Sequence, residues 1–175
     1  MKGILAVLML AAGLAGCATR WVVDSDVQSF SQLDTVPPGA TFRFERLPPY
    51  DAVMQQQLEA MAGPALEGAG LRRDDANPHF TAQVGARVTL ELSPWVDPWV
   101  TFPSAANPWY SREVSIVLRE LPSHRVVYET RAHNEGPYGS SADVLPVMFR
   151  AAMDGFPNPP TGGRRVNLEV PAAGN

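Results

Sequence analysis

The chain has 175 residues, 14 basic and 18 acidic side chains and a net charge of -4, and its basic residues never run beyond Arg72-Arg73 or Arg164-Arg165. That balance argues against nucleic acid as a partner, because phosphate binding needs a clustered basic surface. Lys2 is the only lysine, which removes lysine Schiff-base and phosphate-loop chemistry from the rest of the chain, and the single cysteine, Cys17, excludes a disulfide within it.

In chain order, Lys2 gives a short positive start, Ile4 to Leu14 are almost wholly apolar or small, and Leu14-Ala15-Gly16-Cys17 closes the stretch. Residues 1–16 therefore read as a cleaved secretory signal, too short to span a bilayer as a helix. The Leu-Ala-Gly-Cys run resembles the lipobox. That resemblance implies that the Cys17 thiol receives a diacylglycerol, that the new amino terminus is acylated after cleavage, and that residues 17–20 form a lipidated tether. Each buried acyl methylene contributes about 0.8 kcal/mol, so several chains, palmitate among them, would anchor a small domain without spanning the membrane. Ala18 stands where an aspartate would favour inner-membrane retention, so the resemblance implies the outer membrane, facing the periplasm. Cleavage after Ala18 is the alternative, since Gly16-Cys17-Ala18 also fits a small-x-small rule, and it would release a soluble periplasmic protein.

Residues 21–170 are expected to form one α+β domain, followed by a flexible tail at 171–175. Trp21-Val22-Val23 opens a strand running towards Phe30, and after Pro37-Pro38-Gly39 the alternation in Thr41-Phe42-Arg43-Phe44-Glu45 predicts a second. Apolar residues recur at helical spacing from about 51 to 69, with Gly70-Leu71 as a left-handed stop. Gly63-Pro64 inside that stretch predicts a kink or a local break that keeps the apolar phase. Phe80, Ala82, Val84, Ala86, Val88, Leu90 and Leu92 alternate with polar residues, which predicts one long strand with a single buried face. A hairpin follows, from near Arg112 through the Pro122-Ser123-His124 turn to Ala132. Ser140 or Ser141 is placed to cap a helix through Met153, with Pro146 tolerated in its first turns, and Arg164 to Val170 complete the pattern as an edge strand. The architecture expected is an antiparallel β-sheet with two α-helices packed on one face.

Several stretches together look familiar: Val22-Val23-Asp24-Ser25-Asp26-Val27 leading to Phe30, Leu66 to Gly70-Leu71, Pro78 to Val84, Val126 to Ala132, and Phe156-Pro157. On these the chain resembles bacterial lipoproteins of the domain-of-unknown-function family 4136. His79 stands where that family commonly has aspartate, and Tyr128 where it commonly has tryptophan. The family has no assigned activity, so the resemblance implies an envelope lipoprotein and supplies no catalytic residues.

The residues give no catalytic grouping, no metal site and no cofactor site. His79, His124 and His133 lack metal-ligand spacing, although strand ends could bring His79 and His133 together. Gly136 to Ser141 is no nucleophile elbow and reads as a loop leading to a helix cap. Asp24-Asp26 and Asp74-Asp75 read as solvated carboxylates. The segment from Ser93 to Tyr110 stands out, because it repeats a small polar residue, proline and tryptophan three times and so carries Trp95, Trp99, Phe102, Trp109 and Tyr110. Rigid amphipathic rings could grip an envelope protein, stack on a glycan or sit among lipid headgroups, or else fold back over the open face of the sheet. The sequence thus points to a membrane-anchored, non-catalytic domain that binds an envelope partner. A glycan or small-molecule module built on the tryptophans is the second reading, and an envelope hydrolase around His79, His133 or Ser140 the third.

Overall fold

A computed structural model describes residues 21–48, 51–91, 108–137 and 140–170. In chain order the elements are β1 (Val22–Ser31), β2 (Thr41–Phe44), α1 (Ala52–Gly68), β3 (Arg72–Arg73), β4 (Phe80–Glu91), β5 (Trp109–Glu120), β6 (Val126–Gly136), α2 (Ser141–Ala152) and β7 (Gly163–Glu169). The strands form one seven-stranded sheet in the order β3-β2-β4-β5-β6-β1-β7. Both helices cover the same face, so the α+β class and the helix layer are as expected.

The sheet is mixed rather than antiparallel throughout. Neighbours from β4 to β7 are antiparallel, but β2 runs parallel to both β3 and β4. The cause is α1, which carries the chain back along the sheet after β2, so that the next strand must start from the same end as β2 did. Two arginines form β3, and nothing in their apolar pattern marks them as a strand.

Local chemistry explains the boundaries. The Asp51 carboxylate accepts from the Val53 and Met54 backbone N–H groups, at 2.9 Å each, and so caps the start of α1. At the other end Gly70 adopts φ 91°, the Leu71 N–H reaches the Leu66 carbonyl (3.2 Å) and the Gly70 N–H the Glu67 carbonyl (2.9 Å). This is the paired arrangement that closes a helix on a left-handed glycine, and Leu71 then buries itself in the core. α1 runs unbroken through Gly63-Pro64, with Ala62, Ala65 and Leu66 buried around the proline, so the apolar phase is kept without a break in the helix. Ser140 stands at the start of α2, yet its side chain makes no capping bond.

The core lies between the helices and the sheet. Val144, Leu145, Val147, Met148, Phe149, Ala151 and Ala152 of α2 are buried, against Val114, Ile116 and Leu118 of β5 and Tyr128 and Ala132 of β6. Each large side chain so covered contributes about 1.5–3 kcal/mol relative to exposure. The Thr130 hydroxyl donates to the Ala152 carbonyl (2.9 Å), which ties the end of α2 to the middle of β6.

Candidate interaction surface

Of the residues singled out by sequence, Cys17, Trp95, Trp99 and Phe102 lie outside the described residues, while Trp109 and Tyr110 are the first two residues of β5. Trp109 pairs with Glu91 and Tyr110 with Leu90, so the strand expected to begin near Arg112 starts three residues earlier. Successive side chains of a strand point to opposite faces, which separates the two rings: Tyr110 stands on the helix side with Arg112 and Val114, Trp109 on the bare side with Ser111 and Glu113. The signal that could have placed them was the period of two set by Leu118, Ile116 and Val114, carried back to Tyr110. Arg112 hid it.

Arg112 is fully buried on the helix side of the sheet, and its guanidinium carbon stands 4.8 Å from the centre of the Tyr110 ring. Burial pushes the guanidinium below its ordinary value, with the neighbouring tyrosine opposing the shift. Arg112 pairs with Val88 on one side and Asn134 on the other, and the Asn134 amide donates to the Asp24 carbonyl at 2.8 Å. On β4 and β5 this polar row marks where the covered core ends, whereas on β1 Val23, two residues further out, is still buried. From this row outward Val88 and then Leu90 continue the apolar face of β4 in the open, 41% and 54% exposed.

Among the described residues the other face of the sheet carries no helix. Across five strands, in register, it presents Arg87, Glu113, His133, Asp26 and Arg165. Arg165 lies 3.2 Å from Asp26 and 3.3 Å from Asp24, and those two carboxylates hold it more firmly protonated than usual. His133 Nε2 lies 3.1 Å from Glu135. A hollow of about 390 Å³ on this face is lined by Gln28, Phe30, Glu129 and Arg131, with Phe30 exposed. Gly85 keeps the middle of the face low, because a Cβ there would come within 2.9 Å of the Ser115 hydroxyl.

The histidines are not brought together. His79 leads into β4 and accepts the Thr41 backbone N–H on Nδ1 (3.1 Å), whereas His133 pairs with Glu113 far along β5 from Glu120, the partner of Phe80. His124 occupies the β5–β6 turn at φ 56°. Among the described residues no three His, Cys, Asp or Glu side chains are grouped so as to hold a metal ion, and no helix is long and apolar enough to cross a membrane.

A charged pair stands apart from the bare face. Arg46 donates through Nε and Nη2 to the two oxygens of Glu59, at 2.7 and 2.8 Å, joining the chain after β2 to α1. Glu59 is buried, and the Arg46 hydrogen bonds hold its carboxyl below the usual range against the opposing effect of burial.

No family model and no curated protein matches the chain. Among solved structures it is similar to the PelC dodecamer from Paraburkholderia phytofirmans, with TM-score 0.52 and 12% identity over 78% of this chain and 99% of that chain. A substituted form of the same dodecamer gives TM-score 0.52 and 11% identity, over 74% of this chain and 94% of that chain. A PDZ domain protein from Parabacteroides distasonis gives TM-score 0.51 and 17% identity over 86% of this chain, which spans 38% of that longer protein. At these identities the likeness is one of fold.

Proposed function

We propose that the chain is a lipid-anchored domain of the bacterial envelope that acts without catalysis, by presenting the bare face of its sheet to another protein. The anchor rests on the run Leu14-Ala15-Gly16-Cys17 that closes the apolar stretch Ile4 to Leu14. In that chemistry the Cys17 sulfur bonds to the glyceryl carbon of a glycerophospholipid, the carbon–oxygen bond to the head-group phosphate breaks, and the thiol proton leaves with that phosphate. Ala18 at the next position favours the outer membrane and the periplasmic side.

The observation that carries the binding role is the polar ladder Arg87, Glu113, His133, Asp26 and Arg165, which no helix among the described residues covers, with the Phe30 hollow beside it. Interleaved charges steer and select a complementary protein surface, and a single exposed aromatic gives it a point to grip. The glycan reading is weaker, since Trp109 and Tyr110 leave the strand on opposite faces and form no shared stacking platform. The hydrolase reading is weaker too, because the Thr41 amide occupies His79 Nδ1 and His133 stands on an open strand face.

The test is photocrosslinking in the native envelope from Phe30 and His133, with Trp109 for comparison. Adducts from Phe30 and His133 that disappear on charge reversal, Asp26→Arg with Glu113→Arg, are the expected result. The PelC structures are of a dodecamer, so the adduct mass must also be checked for a second copy of this chain. No adduct from the bare face, with the protein still in the membrane fraction, would overturn the partner role, and unchanged fractionation of Cys17→Ser would overturn the anchor.

A further inference from the structure

The topology gathers particular chain ends at one end of the sheet. β1 and β5 start there and β4, β6 and β7 finish there, as the antiparallel registers require. Trp21, the first described residue, sits at this end, where its carbonyl accepts the Val170 backbone N–H at 3.0 Å. Cys17 is four residues earlier, within about 14 Å of Trp21 even for a fully extended chain. Whatever holds the lipid is therefore close to this end and to no other.

The exposed apolar side chains are gathered at the same end. Val22, 46% exposed, opens β1, while Val88 and Leu90, 41% and 54% exposed, close β4. α2 begins here because it follows β6, and α1 begins beside it, since Gln57, Ala60 and Met61 share one groove with Ala142 and Asp143. One turn before Gln57 stand Val53 and Met54, 67% and 60% exposed. Only two other large apolar side chains among the described residues are comparably open: Phe30, at the opposite end of β1, and Leu47, after β2.

We infer that this end of the domain is a lipid-facing cap, and that the protein stands end-on upon the bilayer that holds its anchor. The inference rests on reading Cys17 as that anchor. Val22 lies on the bare face of the sheet, Val88 and Leu90 on the helix face, and Val53 and Met54 on the helix layer itself. A protein partner seated on one face would cover one of these sets. A headgroup layer surrounds the end and meets all of them at once. Within the last four cross-strand rows of this end, from Val88 to Glu91, Trp109 to Arg112, Asn134 to Gly136, Val22 to Ser25 and Val166 to Glu169, the only basic residue is the buried Arg112, and the two guanidiniums that reach in from outside are already engaged, Arg165 with Asp24 (3.3 Å) and Arg150 with the Glu169 carbonyl (3.4 Å). Contact with the bilayer is accordingly carried by the apolar side chains and not by a cluster of cations on lipid phosphates, so salt does not release it.

Cys17 is the sole cysteine and its sulfur is taken by the lipid, so one introduced thiol labels the lipidated protein at a single site. Three variants, Val53→Cys, Leu90→Cys and Phe30→Cys, carry an environment-sensitive fluorophore on exposed positions, and each is checked for an unchanged melting temperature. In phosphatidylcholine vesicles containing headgroup-labelled quencher lipid, the labels at 53 and 90 should be quenched at least threefold more than the label at 30, with blue-shifted emission that 0.5 M salt leaves unchanged. Equal quenching at all three positions, with mass spectrometry showing lipid on Cys17, overturns the cap and leaves the anchor standing. Unlabelled Val53→Cys or Leu90→Cys protein that binds the vesicles only as pairs, joined through that thiol by a bis-maleimide crosslinker that adds to both sulfurs, assigns this end to a second copy and also overturns the cap. A bare Cys17 by mass overturns the anchor, and the cap with it.

Discussion

The two halves of β4 carry the same alternation into opposite surroundings. Phe80, Ala82 and Val84 are buried beneath the helices, whereas Val88 and Leu90, on the same face of the same strand, are open to solvent. β5 repeats the contrast, with Ile116 and Leu118 buried and Tyr110 half-buried at its start. The difference lies in the covering layer. A twelve-residue strand such as β5 extends about 40 Å, while the twelve residues of α2 span about 18 Å, so the sheet outruns its helices. Alternation specifies which face a side chain is on. Burial depends on how far the second layer reaches.

This contrast can be broken by substitution. The largest effect is expected in the covered half, where Ile116→Ala should cost about 2–5 kcal/mol in urea unfolding, and a loss below about 1 kcal/mol would show the core to be loosely packed. Next comes the Arg46 pair on α1. Glu59→Gln should cost about 2 kcal/mol, less than a wholly buried ion pair because Arg46 is half exposed. Its pH dependence has a definite sign. The folded state holds the Glu59 carboxyl below its ordinary value of 4.5, so the pair's stabilisation is present above about pH 4.5 and is lost as pH falls through the lower folded value. Glu59→Gln should remove that part of the acid sensitivity, and an unchanged stability-versus-pH curve would rule the pair out as its source. The smallest effect belongs to the open half, where Leu90→Ala should change stability by less than about 0.5 kcal/mol while weakening vesicle contact. A cost as large as that of Ile116→Ala would mean that the end of β4 is covered after all.

The sequence was most informative where one local rule acted alone. The period of two in β4 marked its face, and the Gly70-Leu71 pair marked the end of α1, where the Leu71 N–H closes on Leu66. It was least informative where an element is held by its neighbours. β3 is two arginines aligned by their pairing with Thr41 and Phe42, and without β2 nothing in them prefers a strand. Trp109 and Tyr110 looked like the last part of a proline-tryptophan repeat because Arg112 interrupts the apolar pattern that follows. Their place in β5 comes from pairing with Glu91 and Leu90, a contact between residues nearly twenty positions apart. The exposed ring of Val22, Val53, Met54, Val88 and Leu90 was equally invisible, since each residue alone reads as a core position.

Composition, period and capping chemistry by themselves determined the α+β class, the two helices of the described residues and the long strands, because each follows from interactions within a few residues. The parallel course of β2, the opposite faces taken by Trp109 and Tyr110, and the gathering of open apolar side chains at the end of the sheet where β1 starts were decided only in three dimensions. They depend on which strands pair and how far the helices reach, and those are contacts between residues that the order of the chain keeps far apart.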